Sequence, residues 1–214
     1  MPIPANPKIY HITHIDNLAR IIEDGRLYSD AEMVRQSKDH AKIGMAKLKT
    51  DRFARPVTCH EGTMVSDYVP FYFCPRSPML YIAWRQNHAE MSYRGGQETI
   101  VHLEADFHRM ITAAERQEVR WAVSSSNATA KYAAFYTGAG ALEALDWECI
   151  TAAQWAGSQR RERKQAECLF HTRFPWRGVT RLGVRTKTVH QQVETLLEHA
   201  EHRPPVEVRP DWYY

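Results

Sequence analysis

Short runs of β-branched and aromatic residues recur along this chain, each closed within a few positions by Gly, Pro or a polar cluster. They cover residues 9–12, 68–74, 99–103, 166–170, 179–184 and 206–208, and each reads as a strand. Helical spacing fills several of the gaps. Leu18, Ile21 and Ile22 share one face of a helix that Thr13 or Asp16 can cap and Gly25 ends. A second helix starts near Met79 and runs through Leu80, Tyr81 and Trp84, and a third carries Val189, Val193, Leu196, Leu197 and Ala200. Residues 139–145 also read as helical. There is no repeat, no low-complexity tract and no convincing boundary, so the 214 residues predict a single α+β domain spanning 1–214.

One stretch stands apart. Residues 30–66 are rich in Lys, Arg, Asp and His, with a helical patch around Ile43, Met45 and Leu48. They read as a partly helical excursion from the core, the kind of segment that carries function.

The net charge of +3 permits a nucleic-acid partner without requiring one, because binding depends on clustered charge. The clearest cluster is the basic run at residues 160–164. Four scattered cysteines without a C-x-x-C pair point to a reduced, cytoplasmic protein. No apolar run reaches membrane-spanning length, and the proline-rich start lacks the apolar core of a signal peptide.

Candidate chemistry sits in three places. Glu167 lies between Ala166 and Cys168 in an apolar strand, where a carboxylate is either paired and used or simply faces outward. His11, with Thr13 and Asn17, lies at the first strand–helix junction, either as a structural histidine or near helix N–H groups that favour an anionic ligand such as a diphosphate. Tyr72 alternates with Phe71 and Phe73. Those two belong in the core, so Tyr72 faces the other way and can offer its ring to a flat heterocycle. His11-x-x-His14 and His199-x-x-His202 lack the zinc pattern, and no P-loop, dinucleotide fingerprint or nucleophile elbow is present, so no metal is expected.

Six stretches together carry a resemblance. They are Ile9-Tyr-His-Ile-Thr-His-Ile-Asp-Asn-Leu, Asp67-Tyr-Val-Pro-Phe-Tyr-Phe-Cys-Pro-Arg-Ser-Pro-Met-Leu-Tyr, Gly95-Gly-Gln-Glu, Leu145-Asp-Trp-Glu, Lys164-Gln-Ala-Glu and the terminal Asp211-Trp-Tyr-Tyr. In this order they resemble the DarT family of DNA ADP-ribosyltransferase toxins. The resemblance implies an ADP-ribosyltransferase-like fold of mixed, split β-sheets with surrounding helices, in which residues 30–66 cover the NAD site. It implies transfer of ADP-ribose from NAD, a substrate, to a thymidine base in single-stranded DNA, within a toxin–antitoxin system. That is glycosyl (pentosyl) transfer, with nucleotidyl transfer as a looser expectation.

The resemblance makes Glu167 the catalytic glutamate and places a catalytic and NAD-binding arginine at Arg52 rather than Arg55. It gives NAD contacts to His11 and Tyr72, to which the junction reading adds Thr13 and Asn17. Arg76, Met79 and the 160–164 run become candidates for holding DNA. It also implies an antitoxin of the DarG type carrying a macrodomain. The remaining acceptors are guanosine, RNA or protein, and the rival class is a non-catalytic nucleic-acid-binding module.

Overall fold

The computed structural model describes residues 1–38, 41 and 43–214, so positions 39, 40 and 42 of the expected excursion lie outside the described residues. Among the described residues ten strands are present: β1 Lys8–His14, β2 Arg26–Tyr28, β3 Tyr68–Tyr72, β4 Ile100–Asp106, β5 Trp121–Ser124, β6 Phe135–Tyr136, β7 Glu167–His171, β8 Arg173–Pro175, β9 Val179–Val184 and β10 Val206–Val208. The helices are α1 Leu18–Asp24, α2 Asp30–Arg35, α3 Ala46–Ala54, α4 Pro78–Arg85, α5 Phe107–Arg116, α6 Trp147–Thr151, α7 Ser158–Lys164 and α8 Lys187–Leu197.

Eight strands form one sheet in the order β10-β9-β4-β1-β3-β7-β5-β6, while β2 and β8 pair separately. The sheet is mixed, because β10 runs parallel to β9 across the α8 crossover and the other neighbours are antiparallel. It is also split. β1 pairs with β4 along its whole length, from Lys8↔Asp106 to His14↔Ile100, yet meets β3 at the single register position Tyr10↔Tyr72. Beyond that position β1 and β3 diverge, and the opening between them becomes the site.

The expected strands and helices form, with local departures. Gly25 ends α1 in the left-handed region at φ 65°, a conformation glycine adopts without steric cost. Neither Thr13 nor Asp16 caps that helix. A 3-10 turn, Ile15–Asn17, precedes it, the His14 ring accepts the Asp16 N–H, and Thr13 is occupied by Asn17. Ser77 caps α4 through the Leu80 N–H, with Pro78 at its first position. Residues 141–144 form a 3-10 turn rather than an α-helix.

One core packs Ile9, Leu103, Phe71, Phe170 and Val193 between the sheet and helices α1, α5 and α8. The other sheet face is covered by α4 and the terminal segment, through Leu80, Met91, Ile100, Trp212 and Tyr213. The Trp212 ring lies so close to Gly183 that a Cβ there would collide with it, and the Tyr213 hydroxyl donates to the carbonyls of Ile100 and Gly183. The terminal Asp-Trp-Tyr-Tyr motif is therefore a structural clasp.

His102 is buried under that clasp, with Nε2 donating to the Pro75 carbonyl. Burial pulls its imidazole down to about 4. Above pH ~6.5 the ring is neutral in both the folded and unfolded chain. As pH falls toward 4 only the unfolded chain takes up the proton, so stability should drop by up to about 3 kcal/mol. Urea midpoints measured between pH 7 and 4 should show this slope, and His102→Gln should lack it.

Candidate active site

The split opens into a cavity of about 510 Å³, within the size range of small-molecule sites. β1 contributes His11 and Thr13, β3 contributes Pro70 and Tyr72, and β7 contributes Glu167 at its first residue. Helix α3 and the segment before it close the opposite side through Met45, Leu48, Lys49, Arg52 and Phe53. Phe71 and Phe73 point away into the core, so the alternation places Tyr72 in the cavity as expected.

Glu167 does not face outward. Only 1 % of it is exposed. It and Tyr72 are register partners on adjacent antiparallel strands, which sets their side chains beside each other on one face. Its Oε1 accepts the Ala128 N–H at 3.0 Å, and its Oε2 accepts Arg52 Nη1 at 3.0 Å. Its own N–H donates to Ser124 Oγ at 3.1 Å. A carboxylate held from both sides in this way has a fixed direction as well as a fixed place.

Arg52 sits in the last turn of α3 and is almost as enclosed, its side chain 12 % exposed. Burial works against its charge, but the Glu167 and Asp30 carboxylates outweigh it and raise the guanidinium's pKa. Asp30 Oδ2 lies 3.8 Å from Arg52 Nε, too far for a hydrogen bond, and Lys49 Nζ pairs with Asp30 Oδ1 at 3.0 Å. Among the described residues, Arg52 Nε and Nη2 thus find no hydrogen-bond partner, though both are buried. Such donors are rare in folded proteins, and these two belong to a residue that lines the cavity.

His11 spans the split, its Nδ1 2.8 Å from the Pro70 carbonyl. A carbonyl only accepts, so Nδ1 carries the proton and Nε2 the lone pair. Burial lowers this histidine's pKa, which keeps the ring neutral at neutral pH. Burial, with Glu167 adding to it, pushes the Tyr72 phenol well up, so its hydroxyl stays a donor.

Asn17 also lines the cavity, and its side-chain amide is engaged by the protein. Its Nδ2 donates to Thr13 Oγ1 and the Ala41 carbonyl, and its Oδ1 accepts the Ala41 N–H, all at 2.9–3.0 Å. Its amide is saturated by the protein and ties the excursion to the end of β1. Arg55 is elsewhere. It turns away from the cavity and donates to the carbonyls of Lys131 and Ala133.

The DNA candidates divide. Met79 lines the cavity, whereas Arg76 lines a neighbouring one. Within the basic run, Lys164 is buried and donates to the carbonyls of Ile150 and Ala152, and Arg163 pairs with Asp146. Lys164 therefore serves the fold.

Asp30 and Lys49 were missed from sequence. A signal existed: Lys49 and Arg52 are three apart on one helical face, and Ser29 with Glu32 marks the helix start that presents Asp30. Among the described residues, no group of three or more His, Cys, Asp or Glu side chains could hold a metal ion. No helix among them is long and apolar enough to cross a membrane.

A family model described as ssDNA thymidine ADP-ribosyltransferase, DarT, matches residues 10–214. The chain belongs to the DarT family. A DNA ADP-ribosyl transferase of Thermus aquaticus is 37% identical over 217 residues, covering 100% of this chain and 90% of the relative. The DarT of Thermus sp. 2.9 in complex with ADP-ribosylated ssDNA superposes with a TM-score of 0.90 at 35% identity, covering 100% of this chain and 99% of that one. The same protein in complex with NAD+ gives 0.84 at 33% identity, covering 100% of both chains. A Thermosipho africanus fusion of a DNA ADP-ribosyl transferase with a DNA ADP-ribosyl glycohydrolase is 37% identical over 78 residues, 36% of this chain and 19% of the fusion. The family activity is ADP-ribosyl transfer, so the looser expectation of nucleotidyl transfer is withdrawn.

Proposed function

We propose that this protein transfers ADP-ribose from NAD to a thymine base of single-stranded DNA, with Glu167 and Arg52 as its catalytic residues. The observation that carries the reading is the buried Arg52–Glu167 pair at the cavity wall, whose arginine keeps two unpartnered donors. A dinucleotide supplies the acceptors such donors require, and residues 30–66 cover it from the α3 side. His11, Thr13 and Tyr72 hold NAD from the strand side, with Tyr72 giving a ring face to the nicotinamide. Asn17 contributes by fixing the loop.

NAD brings its own leaving group, a cationic pyridinium. The C1′–N bond to nicotinamide breaks with the electron pair leaving on nicotinamide, and positive charge develops on the ribose. Glu167, fixed by Arg52 and Ala128, faces that charge and hydrogen-bonds the ribose hydroxyls. The thymine N3–H is a poor nucleophile until its proton leaves. Glu167 takes that proton, N3 bonds to C1′, and Arg52 steadies the anionic base or grips the diphosphate. In a duplex the N3 edge is paired, which is why the acceptor is single-stranded. Met79 and Arg76 contact the DNA, and the transfer is selective for sequence.

The Thermosipho africanus fusion of transferase and glycohydrolase supports a wider role as the toxin of a toxin–antitoxin system, with a DarG-type macrodomain antitoxin reversing the modification. Four free cysteines accord with action in the cytoplasm. Incubation with labelled NAD and randomised single-stranded oligonucleotides, read by mass spectrometry, should place the label on thymidine. Label on guanosine, on RNA or on lysate protein instead would replace the acceptor assigned here.

A further inference from the structure

Residues 124–130 read Ser-Ser-Ser-Asn-Ala-Thr-Ala, with no bulky side chain to pin the path from β5 toward β6. The path is fixed instead by Asn127. Its Oδ1 accepts the Thr129 N–H at 3.0 Å and the Thr129 hydroxyl at 2.6 Å. Its main-chain carbonyl accepts the Ala130 N–H at 2.9 Å, which closes a turn over residues 127–130. A side-chain oxygen bonded to the N–H two residues on is how Asn, Asp, Ser and Thr hold such turns, and larger apolar residues have no equivalent.

The same residue ties the turn to the segment that leads into β7. Asn127 Nδ2 donates to Gln165 Oε1 at 3.1 Å, and its main-chain N–H donates to the Glu162 carbonyl at 3.1 Å. Gln165 is held in turn, its Nε2 donating to the Arg161 carbonyl.

The consequence falls on Ala128. With the Thr129 and Ala130 N–H groups taken up by Asn127, the Ala128 N–H faces out of the turn and donates to Glu167 Oε1 at 3.0 Å. A methyl side chain cannot steer that N–H, so the turn does. Arg52 Nη1 holds the other oxygen, Oε2. A carboxylate held at one oxygen can pivot, and one held at both cannot. Asn127 and Thr129 line the reaction cavity with Glu167, yet three bonds of the Asn127 amide are already made within the protein. Its effect on the reaction therefore runs through the turn.

We infer that Asn127 is a positioning residue for the transfer: its side chain folds the turn that aims the Ala128 N–H at Glu167 Oε1 and so sets the direction of the carboxylate. This rests on the reading of Glu167 as the catalytic residue. A misplacement of about 1 Å can cost about 10²-fold in rate, which gives a single turn its leverage.

A double-mutant cycle on the single-turnover rate of DNA modification tests it. Asn127→Ala should lower that rate about 10- to 150-fold, the worth of one hydrogen bond to a charged group, with NAD affinity by calorimetric titration little changed. In the Glu167→Gln background no charge remains to be aimed, and the same substitution should cost less than about 3-fold. Asn127→Ser, whose hydroxyl can accept the same N–H two residues on, should recover most of the wild-type rate. If the alanine chain does not fold, Asn127→Ser carries the cycle, and whatever rate it loses should vanish in the Glu167→Gln background. A near wild-type rate for Asn127→Ala overturns the assignment. So does a loss of equal size in both backgrounds, the result of a direct substrate contact or a general structural defect. Glu167→Gln at near wild-type rate instead removes the reading on which the assignment rests.

Discussion

Glu167→Gln is expected to lower the single-turnover rate of DNA modification by about 10² to 10⁴-fold, the range a positioned general base supplies. The amide is nearly isosteric and its oxygen can still accept the Ala128 N–H. It offers no negative charge to the ribose and no base for the thymine proton. NAD affinity should change far less, because His11, Thr13, Tyr72 and Arg52 line the same cavity and are untouched. Calorimetric titration with NAD beside the rapid-quench rate separates the two effects. A variant that modifies DNA at near wild-type rate would remove Glu167 from the chemistry.

The second large effect concerns Arg52. Removing it strands a carboxylate that is 1 % exposed, and breaking a buried pair from one side destabilises by about 3–5 kcal/mol. Arg52→Ala should therefore lose activity and also shift its urea midpoint sharply. The double variant Arg52→Met/Glu167→Gln should recover much of the stability while remaining inactive, since neither charge is left unpaired. If Arg52→Ala is as stable as the wild type at pH 7, the pair is not the buried unit described here.

The Lys49–Asp30 pair beside them shows how the excursion belongs to the site. Helices α2 and α3 were legible as a polar, partly helical segment, yet Met33, Met45, Val57 and Val65 are buried. A short amphipathic helix and a solvated one differ little in sequence when half of their positions are charged, so the packing partner decides. The basic run illustrates the same limit. Five adjacent polar residues read as one patch, but the helix turned Lys164 inward onto two carbonyls and left its neighbours to pair with α6 and its cap.

Six of the ten strands described, the Gly25 stop and the outward turn of Tyr72 were determined by the sequence alone, because alternation and left-handed caps are local properties of a few consecutive residues, whereas β2, β5, β6 and β8 were not read from it. Family resemblance singled out Glu167 and preferred Arg52 over Arg55. Only the tertiary structure decided why. The bond joining Glu167 to Arg52 spans 115 positions of chain, and it forms because β1 and β3 part after one register pair, leaving an opening that α3 closes. No window of sequence contains that opening. Burial turns an ambiguous strand carboxylate into a held charge, and burial is a property of what comes to lie across from it.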